Sequence, residues 1–235
     1  MLSVALMLFS APAQAYVYDD FSGTGIDLTR WQYSGPSPWL FSQPGGKDDY
    51  LYFSDPTGGQ DAILRSYNTV SGAFFVSMQY LNFSAENTQP PYEYKSTCLQ
   101  LMLSDGHNVM LASECLNSGH QFFDGMSVID GAFWDEYVDT TVTSGWLGIT
   151  YNGLFGEDGW VTFLYDDGTG WKEIAACCPE FTSAPYFMIR GHDLLGTELS
   201  FQVDQVQVVP LPPSVLLLGS GLVGLGALGW RRRQV

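Results

Sequence analysis

The chain has 235 residues, room for one domain or two small ones. Apolar residues make up 46% and aromatic residues 15%, a weight that excludes a disordered chain. Nine Lys and Arg face 25 Asp and Glu, and the net charge of −16 repels phosphate backbones, which excludes a nucleic-acid partner. Residues 1–15, MLSVALMLFSAPAQA, are an apolar run ending on Ala13-Gln14-Ala15, a small-x-small cleavage pattern. They read as a signal peptide, truncated at its start because no Lys or Arg precedes the apolar run. The mature chain then begins at Tyr16.

Residues 16–208 show no helical period, and short strands alternate with turn signals. A long strand is predicted over 72–83, with Phe74, Val76, Met78 and Tyr80 on one face. The next strand, 97–104, sets Leu99, Leu101 and Leu103 against Cys98, Gln100 and Met102. Asp105-Gly106-His107-Asn108 is a turn, and 108–115 returns as the partner strand. A meander follows over 146–152, 159–166 and 171–176, and the last strand is 199–208. Strands at this spacing without helices between them predict an all-β, two-sheet antiparallel β-sandwich.

The four cysteines suit an oxidising compartment. Of the three possible pairings, Cys98 with Cys115 is preferred. A hairpin centred between Gly106 and His107 sets these two directly opposite, and it pairs Leu101 with Ala112 and Met102 with Leu111. Cys177 and Cys178 are adjacent and either form a vicinal bridge or stay as thiols. If each reaches a hairpin cysteine instead, the register is wrong.

After the body, Val209-Pro210-Leu211-Pro212-Pro213-Ser214 leads into an apolar stretch closed by Arg231-Arg232-Arg233. Residues 211–230 carry no charge, and a stretch of about 20 apolar residues is long enough to span a bilayer core as a helix. Its glycines are tolerated in membrane spans, and the arginines belong on the cytoplasmic side. This order of parts resembles the PEP-CTERM sorting signal of Gram-negative, exopolysaccharide-making bacteria, although the usual Glu between the prolines is absent. The resemblance implies an exosortase as partner, a membrane-anchored precursor, and final placement at the cell surface or in the extracellular matrix. The domain division is then 1–15, 16–208 and 209–235. A plain tail anchor is the alternative.

Two further groups of residues carry a resemblance. The first is Asp19-Asp20-Phe21-Ser22-Gly23, with Ile26-Asp27 and Trp31. The second is Gly145-Trp146-Leu147-Gly148-Ile149-Thr150-Tyr151-Asn152-Gly153, with Val161-Thr162-Phe163, Asp167-Gly168, Trp171 and the closing Val203-Asp204-Gln205-Val206. Together they resemble the concanavalin A-like lectin/glucanase jelly roll, a fold that hosts lectins, hydrolases and inert modules. The resemblance implies a structural Ca²⁺ held by Asp20 and Asp204. Independently, the apolar face of the last strand slips phase between Val203 and Val206, which predicts a bulge near Asp204 or Gln205. The alternative is that both aspartates cap strand ends.

Glucanases of this superfamily carry Glu-x-Asp-x-Glu on one strand, which places three carboxylates on one face. This chain has no such run. Asp135, Glu136 and Asp139 are the nearest cluster and read as a solvated acidic loop. His107, His120 and His192 are isolated in sequence. Trp39, Tyr50, Tyr52, Trp134 and Tyr137 are the candidates for stacking on a sugar ring. Trp146, Trp160 and Trp171 are assigned to packing. The expectation is an exported, exosortase-sorted, non-catalytic protein making weak contact with extracellular polysaccharide. The alternative is a divergent glycan hydrolase or lyase on the same fold.

Overall fold

The computed structural model describes residues 16–23, 25–35, 41–42, 50–56, 59, 61–86, 96–117, 119–152, 159–177, 181–192 and 198–211. Residues 1–15, read from the sequence as a signal peptide, and residues 212–235, including the expected membrane helix and Arg231, Arg232 and Arg233, lie outside them. In chain order the strands are β1 (Tyr16–Asp19), β2 (Trp31–Ser34), β3 (Phe41–Ser42), β4 (Leu51–Asp55) and β5 (Asp61–Thr69). Then come β6 (Phe74–Glu86), β7 (Thr97–Ser104), β8 (Val109–Asn117), β9 (His120–Ile129) and β10 (Ala132–Asp139). The series ends with β11 (Gly145–Tyr151), β12 (Val161–Asp166), β13 (Trp171–Cys177), β14 (Tyr186–His192) and β15 (Glu198–Pro210). Among the described residues there is no helix.

The strands form two antiparallel sheets. One runs β13-β12-β11-β6-β15-β4-β3, with β1 also paired to β15, and the other runs β10-β9-β8-β7-β14-β5-β2. Alternation explains the layering. On β6, Phe74, Val76, Met78 and Tyr80 are buried between the sheets, and on β7 Leu99, Leu101 and Leu103 meet them from the other side. Rings supply much of the core: Phe53 stacks on Phe201 at 4.8 Å, and Phe123 stacks on Tyr165 at 4.3 Å.

The β7–β8 hairpin has the register read from the sequence. Leu101 faces Ala112, Met102 faces Leu111, and Cys98 is bonded to Cys115 with Cα atoms 4.2 Å apart. That spacing is typical of a non-hydrogen-bonded pair. The turn is held by Asp105, whose carboxylate accepts the His107 and Asn108 backbone N–H groups. Cys177 Sγ lies 3.8 Å from Met110 Sδ, and Cys178 lies outside the described residues.

The bulge on β15 is also present, between Val203 and Gln205. It has a topological reason. Leu199 to Val203 pair with β4, whereas Val206 to Val208 pair with β1 on the same edge, so Asp204 sits where one partner is exchanged for another. A second irregularity lies between Ser200 and Gln202, opposite Asn82, whose φ of 55° is in the left-handed region. β15 continues through Val209 and Pro210, and the Leu211 N–H donates to the Ala73 carbonyl.

Two local readings change. Asp135, Glu136 and Asp139 lie on an edge strand, β10, rather than in a loop. Trp160 is 50% exposed, whereas Trp171, 42% exposed, does pack, edge-on against Phe75 on the outer side of its sheet.

Candidate functional site

The outer face of the β10–β2 sheet gathers the groups best suited to bind something. On β7, Cys98, Gln100, Met102 and Ser104 alternate with the core leucines and so point away from the other sheet. The strand registers carry this face across the sheet. Gln100 lies opposite Ser113 on β8 and Arg190 on β14, and Ser113 lies opposite Asp124 on β9, which lies opposite Tyr137 on β10. Tyr137, Asp124, Ser113, Gln100 and Arg190 therefore form one row perpendicular to the strands. From β9 to β14 it crosses three strand spacings, about 14 Å.

Exposure falls from the sheet edge inward. Phe133 and Tyr137 on β10 are 53% and 62% exposed, whereas Ser113, Gln100, Cys98 and Leu111 are buried. The row contains three buried polar atoms without hydrogen-bond partners: Ser113 Oγ, Asp124 Oδ1 and Arg190 Nε. Buried polar groups are normally paired, and leaving one unpaired costs about 1–3 kcal/mol. Three in one row of one face make a line of hydrogen-bonding capacity.

The row is held from both ends. Arg190 Nη1 donates to Gln100 Oε1 at 3.3 Å, and its Nη2 pairs with Asp61 Oδ2. A carboxylate only accepts, so His192 Nδ1 donates to Asp61 Oδ1 at 2.6 Å. Burial alone would raise the Asp61 pKa, but His192 and Arg190 outweigh it and hold the carboxyl below its ordinary value. At the other end, burial, with a smaller push from Asp135, drives the Asp124 carboxyl up to about 7. Beside it, His120, Phe122 and Tyr137 form a ring cluster, with Phe122 and Tyr137 centroids 5.6 Å apart.

The predicted sugar-stacking residues are dispersed. Tyr137 is on this face. Trp134 is three residues away on β10, has the opposite phase, and packs against the core. Tyr52 is on β4 in the other sheet, half-buried, with Tyr50 just before that strand. Trp39 lies outside the described residues. Asp124, Ser113 and Arg190 were missed by the sequence reading. The hairpin register does place Ser113 opposite Gln100, and that was the available signal.

The two aspartates of the expected calcium site come from converging elements. β1 pairs Asp19 with Val206, so Asp20 lies one residue beyond that pair, on the side of the bulge at Asp204. Asp20 is exposed, and the Ser22 side chain, with the Ser22 N–H donated at 3.2 Å, holds its carboxyl below the ordinary pKa. Its neighbour Asp19 is buried and structural, accepting the Trp31 indole N–H at 2.7 Å and the Phe21 N–H at 2.9 Å. Carboxylate oxygens are the right donors for calcium. Among the described residues, no group of three or more His, Cys, Asp or Glu is placed to hold a metal. The three histidines each meet a carboxylate separately: His107 with Asp130, His120 with Asp139 and His192 with Asp61.

Comparison with known proteins gives the fold. No protein-family model and no curated protein matches the chain. Among solved structures, it is similar to the legume lectin-like domain from Entamoeba histolytica, with 10% identity and a TM-score of 0.55, over 78% of this chain and 91% of that one. The Ca²⁺-bound exoplasmic/lumenal domain of VIP36 gives 9% identity and 0.56, over 84% and 90%. A LamA variant from Z. galactanivorans, in complex with laminaritriose and laminaritetraose, gives 10% and 0.57, over 86% and 99%. At these identities the likeness is one of architecture. The chain has the β-sandwich fold shared by legume lectin-like proteins and LamA.

Proposed function

We propose that this protein is an exported, non-catalytic β-sandwich that binds a neutral polysaccharide across the outer face of the β10–β2 sheet. The observation that carries the reading is the row of buried, unpartnered polar atoms on Ser113, Asp124 and Arg190, which sugar hydroxyls can satisfy as both donors and acceptors. Phe122 and Tyr137 beside the row supply rings for the apolar face of a sugar. The net charge of −16 favours a neutral ligand over an acidic one. The small-x-small cleavage pattern and the Cys98–Cys115 bond support export. The proline-led apolar tail with its arginines supports sorting by an exosortase. Asp20, just past β1, and Asp204, on the paired strand β15, would hold a structural Ca²⁺. A melting temperature raised by calcium, and no longer raised in Asp20→Asn, is the expected result there.

The binding test is affinity electrophoresis of the folded body in gels containing neutral polysaccharides. Retardation is expected for the native chain. It should fall several-fold for both Ser113→Ala, melting close to native, and Asp124→Asn, melting no lower than native because it removes a buried charge, since a hydrogen bond contributes about 0.5–1.5 kcal/mol. A folded protein retarded by none of the gels would overturn the reading.

One observation favours a glycan hydrolase or lyase as the second reading. Asp124 and Asp135 share this face, and Asp124, held near neutrality, suits a general acid. Against it, the outward positions of β9 around Asp124 are Phe122 and Met126, so that strand carries one carboxylate instead of three. Release of reducing or unsaturated ends, abolished in Asp124→Asn, would favour this second reading.

A further inference from the structure

The outer face of the other sheet carries a group of rings that the site above does not use. On β6, Phe75 and Gln79 alternate with the core residues Phe74, Val76, Met78 and Tyr80 and so point away from the interior. On β11, Trp146 and Gly148 take the outward positions, alternating with the buried Leu147 and Ile149. Trp171 starts from β13, two strands from β11, and its ring reaches back across β12. Its centroid is 5.0 Å from that of Phe75 and 6.4 Å from that of Trp146. Gly148 is what lets the rings meet. An added Cβ there would lie 2.6 Å from Phe75 Cε2 and 2.8 Å from Trp171 Cζ3. Glycine weakens the interior of a strand, so its place in the middle of β11 marks where the rings need the room. Trp171 is held by two other rings and is still 42% exposed.

We infer that this ring group is a second sugar site, where the C–H face of a neutral pyranose stacks on Trp171, so that one molecule holds two polysaccharide chains, one on each side of the sandwich. The bridging rests on the binding reading above; the ring site stands apart from it. Trp171 leaves about 100 Å² of its surface open, with Phe75 and Trp146 half-buried beside it. A stable protein–protein interface needs about 800 Å² from each partner, and a single sugar ring needs far less. Charge argues the same way, since two copies at −16 repel each other. Hydrogen-bonding groups stand next to the rings: Trp146 lies opposite Gln79, and Gln79 opposite Gln205. Gln205 Nε2 donates to Gln79 Oε1 at 3.0 Å, which fixes both amides yet uses only part of their donor and acceptor capacity. An apolar ring surface flanked by neutral amides suits a ligand that is apolar on one face and hydroxylated at its rim. Asp166 lies between Trp146 and Trp171 in register, and its Oδ1 accepts the Gly168 and Gly170 N–H groups of the adjoining turn. Its charge disfavours an acidic sugar on this face.

The experiment compares the native chain, Trp171→Ala, Trp171→Phe and Ser113→Ala by affinity electrophoresis in glucomannan, xylan and laminarin gels. In at least one gel, Trp171→Ala is expected to bind about fivefold or more weakly than native, the scale for losing an aromatic anchor. Trp171→Phe, which keeps a ring, should lose less. Both variants should stay folded, because Trp171 lies outside the inter-sheet core. Beads coated with the retarding polysaccharide should be clustered by the native chain and left dispersed by Trp171→Ala. If Trp171→Ala binds like native in every gel, or clusters beads like native, the inference is overturned and the site on the β10–β2 sheet is left standing. Weaker binding in Trp171→Ala with no loss in Ser113→Ala keeps the ring site and overturns the reading above. Light scattering without polysaccharide checks the remaining occupant: a native dimer that becomes a monomer in Trp171→Ala places a second copy on the rings and overturns the inference. A folded native chain retarded by none of the gels overturns both.

Discussion

Glu114 is the most unusual single residue in the molecule. It lies on β8 with its side chain between the sheets, fully buried, and Oε2 has no partner. Gln121 donates to Oε1, and the Tyr80 hydroxyl lies on the same side without closing a hydrogen bond. Burial pushes the carboxyl from an ordinary 4.5 up to about 8, outweighing both neighbours. The folded chain therefore keeps a proton that the unfolded chain loses above pH 4.5. This group supports stability below that value, and its contribution declines by about 1.4 kcal/mol per pH unit as pH rises towards 8. Asp124 acts in the same direction up to about 7. Glu114→Gln keeps the shape without the charge, so its melting temperature should exceed the native value at pH 8 and the slope between pH 5 and 8 should flatten. An unchanged slope would contradict the assignment.

Gly125, beside Asp124, shows a different residue-scale constraint. An added Cβ would lie 2.9 Å from Phe163 Cδ2 and 3.1 Å from the Ala175 Cβ across the core. Neither neighbour has free space, since both are buried. Gly125→Ala is expected to cost about 1–3 kcal/mol by overpacking, read from urea unfolding. It should also weaken polysaccharide binding, because the strand that must shift carries Asp124.

At the scale of elements, the β7–β8 hairpin was legible and β9 was not, for one physical reason. The Asp105-Gly106-His107-Asn108 turn fixes the centre of the hairpin, so every pairing follows from counting. β9 reads His120-Gln121-Phe122-Phe123-Asp124-Gly125-Met126, with apolar residues on both faces, because its outer face also carries an apolar patch. Period-two reasoning finds strands with one wet face and fails on such a strand. The hairpin's disulfide closes a loop across 17 residues of sequence separation. For a loop near that size the bond contributes about 3 kcal/mol, mainly by restricting the unfolded chain. Cys98→Ala with Cys115→Ala should lower stability by up to that amount while leaving the sheet register intact, as followed by urea unfolding and far-ultraviolet circular dichroism.

β10 shows what its acidic cluster does structurally. It is the end strand of its sheet, and Asp135, Glu136 and Asp139 are exposed along it. Charges on an open edge discourage pairing with another chain. Neutralising all three as Asn, Gln and Asn should raise the aggregation rate on mild heating, seen by light scattering. No change would mean that other features guard this edge.

At the scale of the whole molecule, composition and patterning alone determined the class: all-β, two antiparallel layers, acidic, with a hairpin disulfide and a bulged last strand. These are local consequences of side-chain period, turn chemistry and cysteine register, and they need no knowledge of which strand meets which. The site was decided only by the tertiary structure. Asp124, Ser113, Gln100 and Arg190 come from four strands spread over the sequence, and their common row exists because β14 inserts beside β7. Trp134 and Tyr137 part because three residues along one strand put them on opposite faces, and strand order sends Tyr52 to the other sheet. Strand order is set by which apolar faces bury each other best, a property of all the strands together. No single segment encodes it, so a row of polar atoms crossing four strands can be read only after the sheet is assembled.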